Sequence, residues 1–490
     1  MTELVREMFT FPPVPGRCFS FSALGQVDMA PLAEAVLTLL DKVGMTCENA
    51  DILAALRGAG ARVDSDTGSI TFPRRMVQEF VEQLRQESQQ GEGGDGRFRA
   101  PAMPGLLHQL AIYTYDWERR EKRLGNVADF IELTKLADVL HPEHGAGHCL
   151  LLSDVAAPVE PLEVALLLFE YVHKPVGVVV ADVRQIDYVR EIEDVAGIVN
   201  PYWHWLTNVS FATPLRLARE AAALLVYLVR SGDYPAKVYN FGVSGASMPV
   251  TAAGSIVLAA AEILALWMTA RALNPDISIG GNTLVQVGSI DMRGRGVSWW
   301  AFDGMICSLA ACQFLREWTG IAVSPGGGEY TPSSFPGTYV ALEKAYRAMA
   351  IAAFTGYHPG IGHGHLEAGL TFSPVQLLLD RDMTAALRHL ESPAVDQESI
   401  GLETILEVRH GEQGTDLEAE HTLRHFRTAL WQPQFLSRSG WGGFAEEEKV
   451  LRKTQDRVNE LLSQYRKPEY DPGKLQKMRD VVEQAREALA

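Results

Sequence analysis

The sequence predicts an α/β fold: a (β/α)8 TIM barrel with an N-terminal helical and hairpin segment and a C-terminal helical extension. Three observations predict it. Short β-branched or aromatic runs alternate with longer helical patterns eight times over about 285 residues, close to the length of such a barrel. The chain has 490 residues, 47% of them apolar and 21% charged, enough to fill a large core. Helical periodicity without strand candidates returns after residue 391. An open doubly wound sheet is the alternative reading of the same alternation.

The first unit, residues 1–104, divides into recognisable pieces. LAEAVLTLLDKV at 32–43 has helical spacing and stops at Gly44. Asn49 is placed to cap a second helix over 50–58. ARVDSDTGSITF reads as a hairpin turning at Asp66-Thr67-Gly68, and Pro73 opens a helix through about residue 84. The polar, glycine-rich stretch 86–101 is a linker or exposed loop.

The barrel is expected over 105–390. Its strand candidates are 108–115, 148–153, 175–181, 204–209, 236–241, 276–282, 320–324 and 355–361. The clearest helix is 213–230, with Thr213 as cap, Pro214 in the first turn and Gly232 as stop. Leu215, Ala218, Ala222 and Leu225 make its inner face. The stretch 252–270 is the most apolar in the chain, but Gly254, Ser255 and Glu262 interrupt it. It reads as a buried helix and not as a membrane span. In the extension, 391–490, amphipathic helices are expected over 446–465 and 474–488.

Charge and cysteine use narrow the function. There are 44 Lys+Arg against 61 Asp+Glu, a net charge of −17, so a basic footprint for nucleic acid or anionic membranes is missing. The five cysteines are odd in number and lack a Cys-x-x-Cys pair, which suits a reducing compartment. No signal-peptide pattern opens the chain, and a cytoplasmic location is expected.

Barrel active sites lie at the C-terminal strand ends. Those ends are rich in aromatic residues, among them Tyr113, Tyr115, Trp203, Trp205, Trp299, Trp300, Phe302, Tyr330 and Tyr357. An aromatic cage binds a quaternary ammonium by cation–π attraction, and core packing is the competing use. His358, His363 and His365 could ligate a metal, with Glu367 as a further ligand. The preferred reading makes them hydrogen-bonding or structural groups, because no cysteine or Asp-x-His companion lies nearby. His141, His144 and His148 fall in a loop broken by Pro142 and Gly145. The loops at 242–249 and 326–328 could cradle phosphate, but they lack the P-loop lysine. Close backbone approach to a substrate or neighbouring cofactor is the preferred explanation of their glycines.

Several segments, in order, resemble the trimethylamine methyltransferase superfamily. They are LAEAVLTLLDKVGMTCENADILAALRGAGARVDSDTGSITFPRRMV, GVSGASMPVTAAGSIVLAAAEILAL, DMRG at 291–294, HLEAGLTFSPVQLLLD at 365–380 and HTLRHFRTALWQP at 421–433. The resemblance covers most of the chain and implies a (β/α)8 barrel. It implies transfer of a methyl group from an amine to the cobalamin of a partner corrinoid protein, with no cofactor bound tightly to this chain. The trimethylamine branch carries pyrrolysine, whereas this chain uses only the twenty standard amino acids. It therefore resembles the branch that includes glycine betaine demethylases. The expected donor is glycine betaine or a similar quaternary amine. Trimethylamine as donor, or amine binding without transfer, are the alternatives. A homo-oligomer is expected.

The substrate candidates rest on strand-end position and chemistry. Trp299, Trp300, Tyr330 and Tyr357 are cage candidates. His358, His363 and His365 could meet a substrate carboxylate or the corrinoid edge, and Asp291 and Glu329 could offset the ammonium charge. No metal is expected and no catalytic residue is assigned.

Overall fold

The computed structural model describes residues 21–90, 110–199, 203–206, 209–232, 238–280, 283–294, 296–299, 301–326, 331–356, 363–387, 395–410, 415–435 and 445–489. The N-terminal elements form where propensity and capping place them. Helices span Ala30–Lys42, Ala50–Gly58 and Arg74–Gln89. The Asn49 side chain accepts from the Asp51 and Ile52 backbone N–H groups, which satisfies two otherwise orphaned donors. Strands Arg62–Asp64 and Ser69–Thr71 pair as the expected antiparallel hairpin, with Gly68 at φ +68° in its turn. These elements pack on the body of the chain. Thr46–Cys47 runs parallel to Arg216–Leu217, and the first two helices lie against the Ala252–Leu273 helix.

The central region is mixed α/β, and its parallel pairings follow chain order. Ala111 pairs with Leu150, Ala146 with Pro175, Val178 with His204, Val209 with Val238, Tyr239 with Leu284, and Leu284 with Ser324. Helices fill the connections, at Val127–Leu140, Glu160–Tyr171, Ile186–Ala196, Arg219–Ser231, Ala252–Leu273, Phe302–Thr319, Thr338–Thr355 and Pro374–Leu387. Thr371–Phe372 pairs in parallel with Tyr113–Thr114. The ladders are short and fall in several small sheets, and no closed barrel is found among the described residues.

Several expectations need correction. The expected 276–282 strand is replaced by a turn at 275–276, where the Asn274 side chain accepts the Asp276 N–H at 3.0 Å; 277–280 join no strand, 281–282 lie outside the described residues, and the strand comes at Leu284–Val285. The 148–153 and 320–324 strands reduce to the single bridges of Leu150 and Ser324. Thr355 ends a helix, and 357–361 lie outside the described residues. After Tyr113–Asp116 the chain does not enter a helix at once but turns back through Glu121–Leu124 as an antiparallel hairpin.

The helix expected from Thr213 starts at Arg219 instead. The Thr213 hydroxyl donates to Glu262, and Arg216–Leu217 joins the N-terminal sheet, so tertiary partners override the local capping signal. Its inner-face residues Ala222 and Leu225 are buried, and Gly232 ends it at φ +70°.

The apolar helix Ala252–Leu273 passes a length and composition test for a membrane span, and 78% of its most apolar window is buried inside the fold. Helices on all sides explain an apolar surface all round. In the extension, helix Glu446–Gln464 packs on Pro374–Leu387 and Val127–Leu140, and Pro472–Leu489 packs on Ile186–Ala196 and Glu160–Tyr171. Both therefore bury their apolar stripes on their own chain.

Candidate functional site

Polar residues at the strand ends are largely engaged in holding the backbone. Asp116 accepts from the Arg119 N–H in the hairpin turn, and Asp154 accepts from Val127 N at the start of a helix. Asp182 accepts from Arg184 N. Ser244 donates to the carbonyls of Pro249 and Val250, and Ser247 Oγ accepts from Val243 N, so the 242–249 loop is tied to itself. Its glycine serves a close internal approach: a methyl group on Gly242 would lie 2.1 Å from Met248 Cε. Gly326, at φ +86°, likewise makes room for the Gln286 side chain. The neighbours met at these glycines belong to the chain itself.

Behind the strands, buried polar residues are latched to neighbouring helices. His148 Nε2 lies 3.0 Å from Glu160, and its Nδ1 accepts from Val179 N, so Nε2 is the protonated nitrogen that donates to the carboxylate. His204 Nδ1 lies 2.7 Å from Glu193. The fully buried Glu262 accepts from Thr213 Oγ1 at 3.0 Å, Leu215 N at 2.8 Å and Asn240 Nδ2 at 2.6 Å. Burial pushes its carboxyl above the usual range, opposed by those three donors. Sequence reasoning saw Glu262 only as an interruption of an apolar run.

His363 and His365 come together, with ring centroids 6.3 Å apart, and both are buried. His365 packs edge-on against Phe372. His363 sits near a buried ion pair, Lys344–Asp380, whose carboxylate also accepts from Gly364 N at 3.0 Å and Gln376 Nε2 at 2.6 Å. Burial first, and then Lys344, lowers His363 to about 4, so it is neutral at pH 7. His141 is lowered to about 3 by burial and by Arg381, which stands over its ring nitrogens. Among the described residues no group of three or more His, Cys, Asp or Glu side chains is arranged to hold a metal. Trp300, Glu329, Tyr330, Tyr357 and His358 lie outside the described residues.

Trp299 occupies a built corner. Gly288–Ile290 and Val297–Ser298 form an antiparallel hairpin. The exposed Asp291 accepts from Arg293 N at 2.9 Å and its own N–H donates to Gly296 O, which shapes the turn. The hairpin returns Trp299 onto Gly288, where an added methyl group would lie 3.0 Å from Cε3 and 3.3 Å from Cδ2. Ser298 Oγ then accepts from Ala301 N ahead of the Phe302–Thr319 helix. Phe241 meets Trp299 edge-to-face, with centroids 6.0 Å apart at 90°, and Tyr239 lies 5.7 Å from Phe241 at 56°. Burial pushes the Tyr239 phenol above its usual range, so it offers a neutral ring. Tyr239 and Phe241 are not among the candidates the sequence singled out, and the structure sets them beside Trp299. Their i, i+2 spacing with Asn240 between them was the available signal.

The model of the trimethylamine methyltransferase (MTTB) family matches residues 6–490. The chain belongs to this family. Among relatives, trimethylamine methyltransferase MttB of Desulfitobacterium hafniense is 21% identical over 486 residues, covering 95% of this chain and 94% of the relative. The glycine betaine methyltransferase of the same species is 21% identical over 473 residues, covering 92% and 94%. Trimethylamine methyltransferase MttB2 of Methanosarcina mazei is 25% identical over 282 residues, 56% of this chain and 55% of its own. Family and relatives alike are methyltransferases, and this chain is an enzyme of that kind. The fold expected from the family and the mixed α/β body agree at that coarse level.

Proposed function

We propose that this family member removes a methyl group from a quaternary amine, glycine betaine or a close analogue, and passes it to the corrinoid of a partner protein. The observation that carries the reading is the match to a glycine betaine methyltransferase over 92% of the chain, in a sequence written wholly in the twenty standard amino acids. Under this reading residues 105–390 make a (β/α)8 barrel.

The chemistry suits the residues. A quaternary nitrogen leaves as a neutral tertiary amine, so the protein has no leaving group to protonate. Its work is orientation and exclusion of water. Neutral trimethylamine would have to expel an amide anion and needs prior activation. The reduced corrinoid, when bound, supplies the cobalt nucleophile that accepts the methyl group. The surface fits a bulky partner: Val250, Met292 and Phe302, on loops and a helix start beside the Trp299 corner, are 68%, 69% and 61% exposed. Trp299 holds the cationic end of the substrate. Trp300, Tyr330 and Tyr357 complete the cage, and Asp291 and Glu329 add negative potential. His358, His363 and His365 would meet a substrate carboxylate as hydrogen-bond donors, His363 in its neutral form.

The test supplies glycine betaine, other betaines, choline and trimethylamine, each with chemically reduced cobalamin, and follows the amine products by proton NMR. Dimethylglycine from glycine betaine, and little turnover of trimethylamine, is expected. Turnover of trimethylamine alone would transfer the assignment to that substrate, and no demethylated product from any quaternary amine would overturn it.

A further inference from the structure

We infer that the corner formed by Tyr239, Phe241 and Trp299, seated on Gly288, is the subsite that recognises the trimethylammonium head, and that Gly288 is a specificity-determining residue. The inference rests on the proposed quaternary-amine reading and adds which residues select the charge.

The geometry brings three aromatic rings into one contiguous cluster. Phe241 and Trp299 stand at 90° with centroids 6.0 Å apart, and Tyr239 continues the wall at 5.7 Å. A cation interacts with a ring within about 6 Å of its centroid, so one methylated nitrogen can reach all three. All three side chains are only partly buried, unlike the closed core beneath them. Tyr239 and Phe241 stand two residues apart on one segment, and Trp299 follows the antiparallel hairpin whose first strand pairs in parallel with Val243–Ser244, which ties the three rings together through the backbone.

Other aromatic faces in the chain already carry a cation of their own. Lys122 stands over Tyr113, Arg120 over Trp117, and Lys467 over Tyr171. Among the described residues, no lysine or arginine stands over Tyr239, Phe241 or Trp299. A face of high electron density with no described internal cation suits an external one that cannot donate a hydrogen bond, which is the chemistry of a tetraalkylammonium. Gly288 matters because a first side-chain carbon there would lie 3.0 Å from Trp299 and press the ring back by a few tenths of an ångström, and a branched side chain would press it further.

The test is calorimetric titration of the full chain, without corrinoid, using tetramethylammonium and 2,2-dimethylpropan-1-ol, a neutral water-soluble alcohol with a quaternary carbon in place of the nitrogen. Tetramethylammonium should bind at least tenfold more tightly than the alcohol. Trp299→Leu and Gly288→Val should each weaken it tenfold or more with an unchanged circular dichroism spectrum, and Trp299→Phe should restore affinity to within about threefold of wild type. Equal binding of cation and alcohol, no binding of either, or unaltered affinity in Trp299→Leu would overturn the inference. Selective cation binding without demethylation would defeat the proposed reaction and leave the subsite standing. Demethylation with an unchanged KM in Trp299→Leu would do the reverse.

Discussion

The buried frame and the aromatic corner treat charge in opposite ways. In the frame, Lys344 and Asp380 are both fully buried and answer each other, and Glu262 is answered by three donors. In the corner, three partly buried rings have no described cation over them. A buried charge must be matched inside the chain, because desolvation costs several kcal/mol. An aromatic face has no such requirement and can be left for a ligand. The frame should therefore control stability and the corner should control binding.

Asp380→Ala offers the strongest challenge to that division. It leaves the Lys344 ammonium buried without its carboxylate, and a loss of about 3–5 kcal/mol in unfolding free energy is expected from denaturant titration. If the loss were below about 1 kcal/mol, the pair would not be part of a frame.

Acidification is the next largest test. His363 and His141 have folded pKa values depressed from 6.5 to about 4 and about 3, so each favours the neutral form when folded. Their contribution is fully present above pH 6.5 and is lost as pH falls through the folded values. For His363 alone the loss is up to about 3 kcal/mol. His363→Phe should flatten the stability profile between pH 6.5 and 4. Glu262 and Asp380, whose folded values are raised, act in the opposite sense: their contribution is complete below the unfolded carboxylate range and declines as pH rises through the folded value.

Glu262→Ala removes the acceptor for Thr213, Leu215 and Asn240, and a cost of about 2–3 kcal/mol is expected. Glu262→Gln keeps an acceptor and should recover part of this, with a smaller dependence on pH. Neither should change tetramethylammonium selectivity, since the buried carboxylate is engaged by Thr213, Leu215 and Asn240 and by none of the three rings. A selectivity change in Glu262→Gln would erase the boundary between frame and corner.

The smallest effect is expected at the hairpin. Lys122→Met uncovers Tyr113 and removes an exposed ion pair to Glu367, a stability change under about 1 kcal/mol. Tetramethylammonium affinity should stay within twofold, because one ring does not make a cage. A marked gain would mean that the corner's geometry is not what selects the cation.

Much of the architecture was legible because it is written locally. Asn49 caps the helix it precedes, the Asp66-Thr67-Gly68 turn joins two strands, and the apolar repeat after Glu446 faces inward. Parallel pairing in chain order followed from the alternation of strand and helix signals. Signals failed where a distant partner intervened. Thr213 and Pro214 spell a helix start, but Glu262, 49 residues away along the chain, takes the hydroxyl. Asn274 turned a strand candidate into a turn. Of the proposed corner, Trp299 stood out in the sequence as an aromatic near a strand end, whereas Tyr239 and Phe241 looked like ordinary strand residues.

The sequence by itself determined most of the element types, the family and the net negative charge. Each of these depends on neighbours within a few residues, on motif order or on summed charge. Tertiary structure alone decided which aromatic faces are covered, which carboxylates are buried, and which glycines admit a ring. Those properties depend on side chains tens of residues apart meeting across adjacent segments. No local pattern encodes that Gly288 lies under Trp299 or that Phe241 stands at right angles to it.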